Sequence, residues 1–459
     1  MNAPVTDVNL RTEDGDLSKD FVRGVCETVE RGDGAALRAL VDGLHNADVA
    51  DLLELMTGED RQGFLQLLGS DIDFQVLPEL DENLLDQVLD ELPDEAVVEA
   101  VRELESDDAV YLLEGMEQHE QREVLSQLPE SERAALKRSL DYPEDSAGRL
   151  MSSEYVAVPA FWTVGQTIDY LRDTDDLPAA FHEVFVIDPG YHLLGSVPLS
   201  RVLRTKRPVR MGEVMDEDIR TIKADEDQEE VAFIFRQYNL LSAPVVDEDG
   251  RAAGVITIDD VVDVIQEEAD EDMHRMGGVG DEELTDSVWN TARSRFWWLG
   301  INLITAVLAS YIISLYGASI EQMVALAVLM PIVASMGGNA ATQTMTVAVR
   351  AIATHELQPI NAGRVITREA LVGLVNGIVL ALIMGGFAAL WFGNMGLGAV
   401  LVAAMLINMV VAALAGILVP LTLDRFGIDP AIASSVFVTT VTDVIGFFAF
   451  LGLAAALLL

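Results

Sequence analysis

The chain has 459 residues, 50% of them hydrophobic, one cysteine and a formal net charge of −46, yet only six acids and four bases lie from residue 296 onward. It therefore combines a strongly acidic half with an apolar half, and it is long enough for several domains. The acidity argues against nucleic acid as a partner and favours cations, with salt adaptation or simple solubility as the alternative explanation. The single cysteine, Cys26, excludes a disulfide framework and is typical of a protein in a reducing cytosol.

The first 140 residues predict a tail and then a helical domain. Residues 1–17 are polar and acidic, which favours a disordered acidic tail over a signal peptide. From 18 to 140, leucines recur at helical spacing in segments such as "NADVADLLELM" and "DENLLDQVLDEL", and Asp, Asn, Ser or Pro precede them. Repeated short amphipathic helices predict an all-α, superhelical N-domain whose carboxylates mostly face solvent.

Residues 141–268 contain two similar α/β units. "HEVFVIDPGYHLLGSVPLSRVL" and "LSAPVVDEDGRAAGVITIDDVVDVI" each predict strand, turn, strand and helix start, and together they resemble a tandem pair of CBS domains. Thr257 and Asp260 in the second unit match the hydroxyl and carboxylate that CBS nucleotide sites use, whereas Pro198 and Arg201 replace them in the first. The resemblance implies ATP or a related nucleotide at one site; an ordinary helix cap is the alternative for Thr257 and Asp260.

Residues 261–294 predict a connecting helix and linker between this pair and the apolar half. Its start crowds like charges within about three and a half turns, and such crowding destabilises a helix unless a counter-ion relieves it. A divalent cation bridging the helix to the acidic N-domain would provide that relief, and a merely solvated charged helix is the alternative. The acids are Asp260, Asp263, Glu267, Glu268, Asp270, Glu271 and Asp272.

The apolar half, 295–459, predicts a transmembrane domain of five helices. Each span reaches the roughly 20 apolar residues that cross a bilayer core. All arginines flanking the spans fall on one side, which places the N-terminus in the cytoplasm and the C-terminus outside an inner or plasma membrane. The spans are 296–315, 320–349, 366–392, 397–421 and 431–459.

Polar side chains interrupt two of these spans at helical spacing. In the last span Asp443, Thr439 and Ser435 share one face, although a carboxylate at a membrane helix centre costs on the order of 2.5–3.5 kcal/mol. A water-lined cation path would explain them, and a helix–helix hydrogen bond is the alternative. In the second span the matching face holds Asn339, Gln343 and Thr346 beside Gly338, for which tight packing is the alternative; Asn408 adds a polar point in span four.

The stretches "MPIVASMGGNAATQTMTVAVR" and "TTVTDVIGFF" resemble the MgtE-type magnesium transporters and channels, and nearly the whole chain follows that family's order of domains. The resemblance implies a homodimeric pore in which Asp443 binds the permeating Mg²⁺ and Gly338, Asn339, Gln343 and Thr346 line the path. It also implies that the connecting helix is a plug that docks and closes the pore when Mg²⁺ binds. The implied sensor residues are Asp107, Asp260, Asp263, Glu268, Glu271 and Asp272, whereas Tyr111 departs from the family's pattern.

Together these features predict a multidomain membrane protein that takes up Mg²⁺, driven by the membrane potential and closed by cytosolic Mg²⁺. Scattered histidines and the lack of a phosphate-binding loop indicate that it is not an enzyme. Three alternatives stay open: a secondary exchanger, for which only Asp443 could relay protons; a carrier with broader selectivity for Mn²⁺, Co²⁺ or Ni²⁺; and a membrane-anchored cation or nucleotide sensor that does not conduct.

Overall fold

A computed structural model describes residues 10–12, 15–174, 177–279 and 288–459 of the chain. They belong to two compact units, Met1–Ile265 and Gln266–Leu459. Part of the predicted tail is folded, because the Arg11 guanidinium pairs with Asp48 and Asp51 and Leu17 is buried in the helical core. Disorder predicted for 1–17 is therefore wrong for residues 10–12 and 15–17, and the others lie outside the described residues.

The N-domain is a stack of short helices around a leucine-rich core, as predicted. Leu52, Leu53, Leu112 and Leu113 are fully buried within it. Within the described residues up to 140, the helices are α1 (Lys19–Glu30), α2 (Gly34–Val41), α3 (Asn46–Glu54), α4 (Gly58–Leu68), α5 (Glu82–Glu91), α6 (Asp94–Glu103), α7 (Ser106–Glu114), α8 (Gln118–Gln127) and α9 (Glu130–Leu140).

Two similar three-stranded sheets follow, in agreement with the predicted repeat. In each sheet the first two strands are parallel and the last two antiparallel, and an irregularity in register occurs at the same place in both. In chain order α10 (Ala147–Leu150) comes first, but it packs in the core of the second unit. The first unit contains β1 (Ala157–Pro159), α11 (Val164–Asp173), β2 (Glu183–Ile187), β3 (Leu193–Pro198), α12 (Leu199–Arg204) and α13 (Met211–Val214). The second contains α10, β4 (Ile222–Lys223), α14 (Gln228–Tyr238), β5 (Ser242–Val246) and β6 (Ala252–Thr257).

The two sheets are joined by exchanged segments. Ser152, which precedes the first sheet, pairs with Val255 of β6, and Asp216, which precedes the second, pairs with Ser196 of β3. Gly254 permits the first approach, because a Cβ there would lie 2.6 Å from the Ser152 carbonyl oxygen. The two units therefore fold as one paired module.

The connecting helix begins three residues before the predicted 261 and ends within the predicted segment 261–294. α15 (Ile258–Gly277) ends at a glycine, and α16 (Val288–Ser314) begins the first membrane helix. Residues 280–287 lie outside the described residues. The expected linker up to 294 is therefore wrong at its end, because 288–294 already form the polar first turns of α16.

Five helices of the described chain are long and apolar enough to cross a membrane, as predicted. They comprise α16, α18 (Ala325–Ala353), α19 (Ala362–Phe392), α20 (Met395–Arg425) and α21 (Pro430–Leu457). The second span begins later than the expected residue 320, because a separate short helix, α17 (Gly317–Gln322), keeps Glu321 out of the span and ends where Met323 leaves helical geometry. Of the five, α20 is the most buried.

Candidate functional site

The predicted polar residues lie on two neighbouring membrane helices. One stripe on α18 consists of Asn339, Gln343 and Thr346, and the stripe on α21 consists of Ser435, Thr439 and Asp443. A Cβ on Gly338 would lie 3.6 Å from Cγ2 of Thr439, so this glycine brings the α18 backbone close to the α21 stripe. The two stripes predicted separately from the sequence therefore adjoin each other in one chain.

Neither stripe is covered within the chain. Asn339, Gln343 and Thr346 are exposed, and Ser435, Thr439 and Asp443 are half-buried. The hydroxyls of Thr346 and Thr439 donate to carbonyls of their own helices, at 3.0 Å and 2.5 Å. Within the described residues no side chain donates to or pairs with the Asp443 carboxylate. An unpaired carboxylate on an uncovered polar face requires water, a cation or a second chain in a membrane.

Asn408 of α20 lies behind the stripes and holds α18 and α21 in place. Its side chain is 1% exposed, and its amide donates to the Val333 carbonyl at 2.9 Å. A Cβ on Gly337 or Gly446 would come within 2.2 or 2.7 Å of this amide nitrogen. The Asn408 carbonyl oxygen has no hydrogen-bond partner among the described residues. The sequence analysis identified Asn408 as a polar residue in the fourth span, but its role in helix packing depends on the contacts among α18, α20 and α21.

At the other end of α18, the end of α15 packs against the membrane helices. The Arg275 guanidinium pairs with Glu271 one turn earlier and with Asp429 just before α21. Met276 packs against a buried cluster to which α18 contributes Ala341 and α21 contributes Val438. Burial and the nearby Asp429 carboxylate raise the pKa of Asp272, against the opposing effect of Arg350.

A second acidic cluster forms where α7 of the N-domain meets the start of α15. Burial raises the pKa of Asp108 to about 7, and the carboxylates of Asp260 and Glu105 add to the shift. Burial also raises the pKa of Asp260 to about 6, despite hydrogen bonds from Thr257. Burial and Asp260 raise the pKa of Asp107 well above its ordinary value. Carboxylates that lie this close together and are this poorly hydrated favour the binding of either protons or a divalent cation.

The structure brings Asp107 and Asp260 together, as the sensor prediction required, and adds Asp108, which that prediction missed. Two adjacent aspartates in the first turn of α7 were the available signal. Asp263 is exposed farther along α15, and Glu268 is half-buried. Within the described ranges, no three acidic, histidine or cysteine side chains converge as in a preformed metal centre.

The predicted nucleotide pair has the geometry of a helix cap. The Thr257 hydroxyl donates to the Asp260 carboxylate at 2.7 Å, and the Thr257 backbone N–H donates to the same oxygen at 3.2 Å. The adjoining cleft has a volume of about 30 Å³, and Glu105, Glu154 and Glu183 line it. Nucleotide pockets need hundreds of cubic ångströms, so this cleft would have to open and tolerate three carboxylates beside any phosphate.

Comparisons with known sequences agree along the chain. A family model described as "Divalent cation transporter" matches residues 330–453, one described as "MgtE intracellular N domain" matches 44–145, and one for the CBS domain matches 211–267. The magnesium transporter MgtE of Thermus thermophilus is 34% identical over 444 residues, covering 94% of this chain and 97% of that protein. The protein of that name from Enterococcus faecalis is 34% identical over 312 residues, covering 68% and 69%.

A solved structure resembles the N-terminal part. The cytosolic domain of the Mg²⁺ channel MgtE, crystallised in complex with ATP, has 31% sequence identity and a TM-score of 0.50. The match covers 53% of this chain and 99% of that one.

Proposed function

Because this chain belongs to the MgtE family of magnesium transporters, we propose that it conducts Mg²⁺ between the polar stripes of two copies, with Asp443 as the attracting charge. The observation that carries the proposal is the unpaired Asp443 beside the uncovered stripes of α18 and α21. A single carboxylate per chain becomes two at the axis of a symmetric dimer. Two carboxylates with amide and hydroxyl oxygens suit Mg²⁺, which takes oxygen ligands and keeps most of its water.

The driving force in this proposal is the inward-negative membrane potential. It favours entry of a divalent cation by about 4.6 kcal/mol per 100 mV. The arginines flanking the spans support an N-terminus inside the cell and a C-terminus outside. An exchanger would need a chain of titratable groups, whereas Asp443 stands alone in its stripe.

Closure would come from Mg²⁺ at the two acidic regions of the cytosolic half. Asp107, Asp108 and Asp260 form one region, in which burial disfavours charge without a cation. Glu271 and Asp272 lie in the other, near Asp429. Asp263 and Glu268 lie between these regions on α15 and would bind as the helix docks. Mg²⁺ bridging such carboxylates would hold α15 in the closed position as a plug.

ATP is a further candidate ligand, because the related cytosolic domain was crystallised with it. In this chain the cleft beside Thr257 would have to widen before a nucleotide enters. Titration of the full-length protein with ATP, with Thr257→Ala as the variant, tests this part separately.

The conduction proposal is tested by Mg²⁺ flux into proteoliposomes at a clamped potential, comparing wild type with Asp443→Asn. Asp424→Asn is the matched control, since Asp424 lies in the last turn of α20 outside the stripes. Flux that follows the potential and is lost only in Asp443→Asn supports the channel. Absence of flux in folded wild-type dimers would favour the non-conducting sensor, and flux of Mn²⁺ or Co²⁺ at equal rates would favour the broader carrier.

A further inference from the structure

The start of α19 carries a groove that the transport function does not use. One face of α19 packs on α20 through small residues, and a Cβ on Gly373 would lie 2.6 Å from Ala413. The groove is shallow and open on its outer side, has a volume of about 640 Å³, and is lined by exposed residues of α19 alone. The residues that line it are Arg364, Thr367, Arg368, Leu371, Val372, Val375 and, beside Val375, the polar Asn376.

Two guanidinium groups define the charge of this groove. Arg364 and Arg368 are one turn apart on the same face, and neither forms an ion pair with any other residue that the structure describes. Like charges at this spacing repel and destabilise the helix. The Thr367 hydroxyl already donates to the Gly363 carbonyl at 2.7 Å, so the arginines are the donors available to a ligand. The positive end of the helix dipole lies at the same end, because α19 begins at Ala362.

Along the groove the charged residues lie at the membrane surface and the apolar residues lie deeper in the membrane. The arginines lie in the first two turns of the span, at the membrane–water boundary, and Leu371, Val372 and Val375 follow toward the bilayer interior. With a rise of about 1.5 Å per residue, Val375 lies roughly 10 Å deeper than Arg368. A phospholipid has the complementary order, with an anionic phosphate above apolar chains, whereas free phosphate would not use the apolar walls.

We propose that this groove is a binding site for an anionic phospholipid of the cytoplasmic leaflet, with Arg364 and Arg368 on the headgroup phosphate and Leu371, Val372 and Val375 along an acyl chain. Basic pockets at the cytoplasmic ends of membrane helices bind such headgroups. The site rests on the proposed membrane orientation and not on ion conduction. A lipid result and a flux result can therefore fail independently.

The test uses the full-length protein in detergent, with retained lipid counted by native mass spectrometry. The probes are phosphatidylglycerol and phosphatidylcholine with identical acyl chains. Wild type should retain phosphatidylglycerol preferentially. Each of Arg364→Gln and Arg368→Gln should reduce that preference about 5-fold, and the double variant about 25-fold, because a base near an anionic surface contributes about that factor. Arg364→Lys and Arg368→Lys, which keep the charge, should retain most of it.

Arg425→Gln is the matched control, since Arg425 ends α20 and does not line the groove. An unchanged preference in this variant supports a defined site, whereas an equal loss would reduce the effect to general surface charge and overturn the proposal. It is also overturned if wild type shows no preference or if the double variant retains it. Leu371→Cys in a Cys26→Ser background tests the other occupant, because disulfide cross-linking between copies would assign the groove to a protein interface.

Discussion

The packing of Asn408 against Gly337 gives a sharp prediction about the helices that carry the polar stripes. Gly337→Ala would place a Cβ 2.2 Å from the Asn408 amide nitrogen, a distance that forces the side chain or a helix to move. Overpacking of this kind typically costs about 1–3 kcal/mol. Asn408→Ala alone should cost less, about 0.6–1.7 kcal/mol, because it removes one hydrogen bond between membrane helices.

The double variant of Gly337→Ala and Asn408→Ala distinguishes a specific clash between these two residues from a general sensitivity of α18 to substitution. Once Asn408 is truncated, the methyl group of Gly337→Ala has space, so the two losses should not add and the coupling should reach about 0.5–3 kcal/mol. Gly338→Ala is the matched control, because its Cβ would make only an ordinary 3.6 Å contact with Thr439. The assay is thermal unfolding in detergent, where each kcal/mol corresponds to roughly 2–4 °C for a unit of this size. Additive losses, or equal losses at Gly337 and Gly338, would refute the packing argument.

Two further predictions concern the acidic regions. Burial raises the pKa of Asp108 to about 7 and that of Asp260 to about 6, so the folded state binds these protons more tightly than the unfolded state does. Their contribution to stability is fully present below the ordinary carboxyl pKa of about 3.9 and is lost as pH rises from there to 6–7. Melting temperatures should therefore rise more on adding Mg²⁺ at pH 7.5 than at pH 5.5, and Asp108→Asn should flatten this difference; an equal Mg²⁺ effect at both values would contradict it. Arg275→Ala removes the ion pair that ties the end of α15 to Asp429 at the start of α21, so α15 should dock less readily and suppression of flux should require several-fold more Mg²⁺, with Arg275→Lys intermediate. An unchanged Mg²⁺ midpoint in Arg275→Ala would show that this ion pair has no part in closure.

The features predicted best are those that follow directly from a residue pattern along the linear sequence. Five apolar stretches of sufficient length gave five membrane helices, and alternating apolar residues around glycine turns gave the two sheets. The helical repeat was predicted for 18–140 as a whole, and it extends even to the polar helix α8, in which only Val124 and Leu125 are buried. The connecting helix ends at Gly277, and Gly278 follows it with φ +70°; this glycine pair is a helix-stop signal that the predicted segment 261–294 did not use.

The stripes were predictable but the contacts between them were not. Helical spacing alone placed Ser435, Thr439 and Asp443 on one face, since that follows from 3.6 residues per turn. The approach of Gly338 to Thr439 and the position of Asn408 between Gly337 and Gly446 depend on how three spans pack. Asp108 was overlooked for the same reason, because a solvated carboxylate and a half-buried one look alike in sequence.

If water and Mg²⁺ pass along the stripe of α18, cysteines introduced there should be accessible to reagents in water, and measuring that accessibility is the decisive experiment. Gln343→Cys and Thr346→Cys, made separately in a Cys26→Ser background, would be treated with a membrane-impermeant thiol reagent while Mg²⁺ flux is followed. Leu382→Cys on the exposed apolar face of α19 is the control. We expect both stripe cysteines to react and flux to stop, while Leu382→Cys stays unmodified. Unreactive stripe cysteines, or flux that continues after they react, would contradict this expectation.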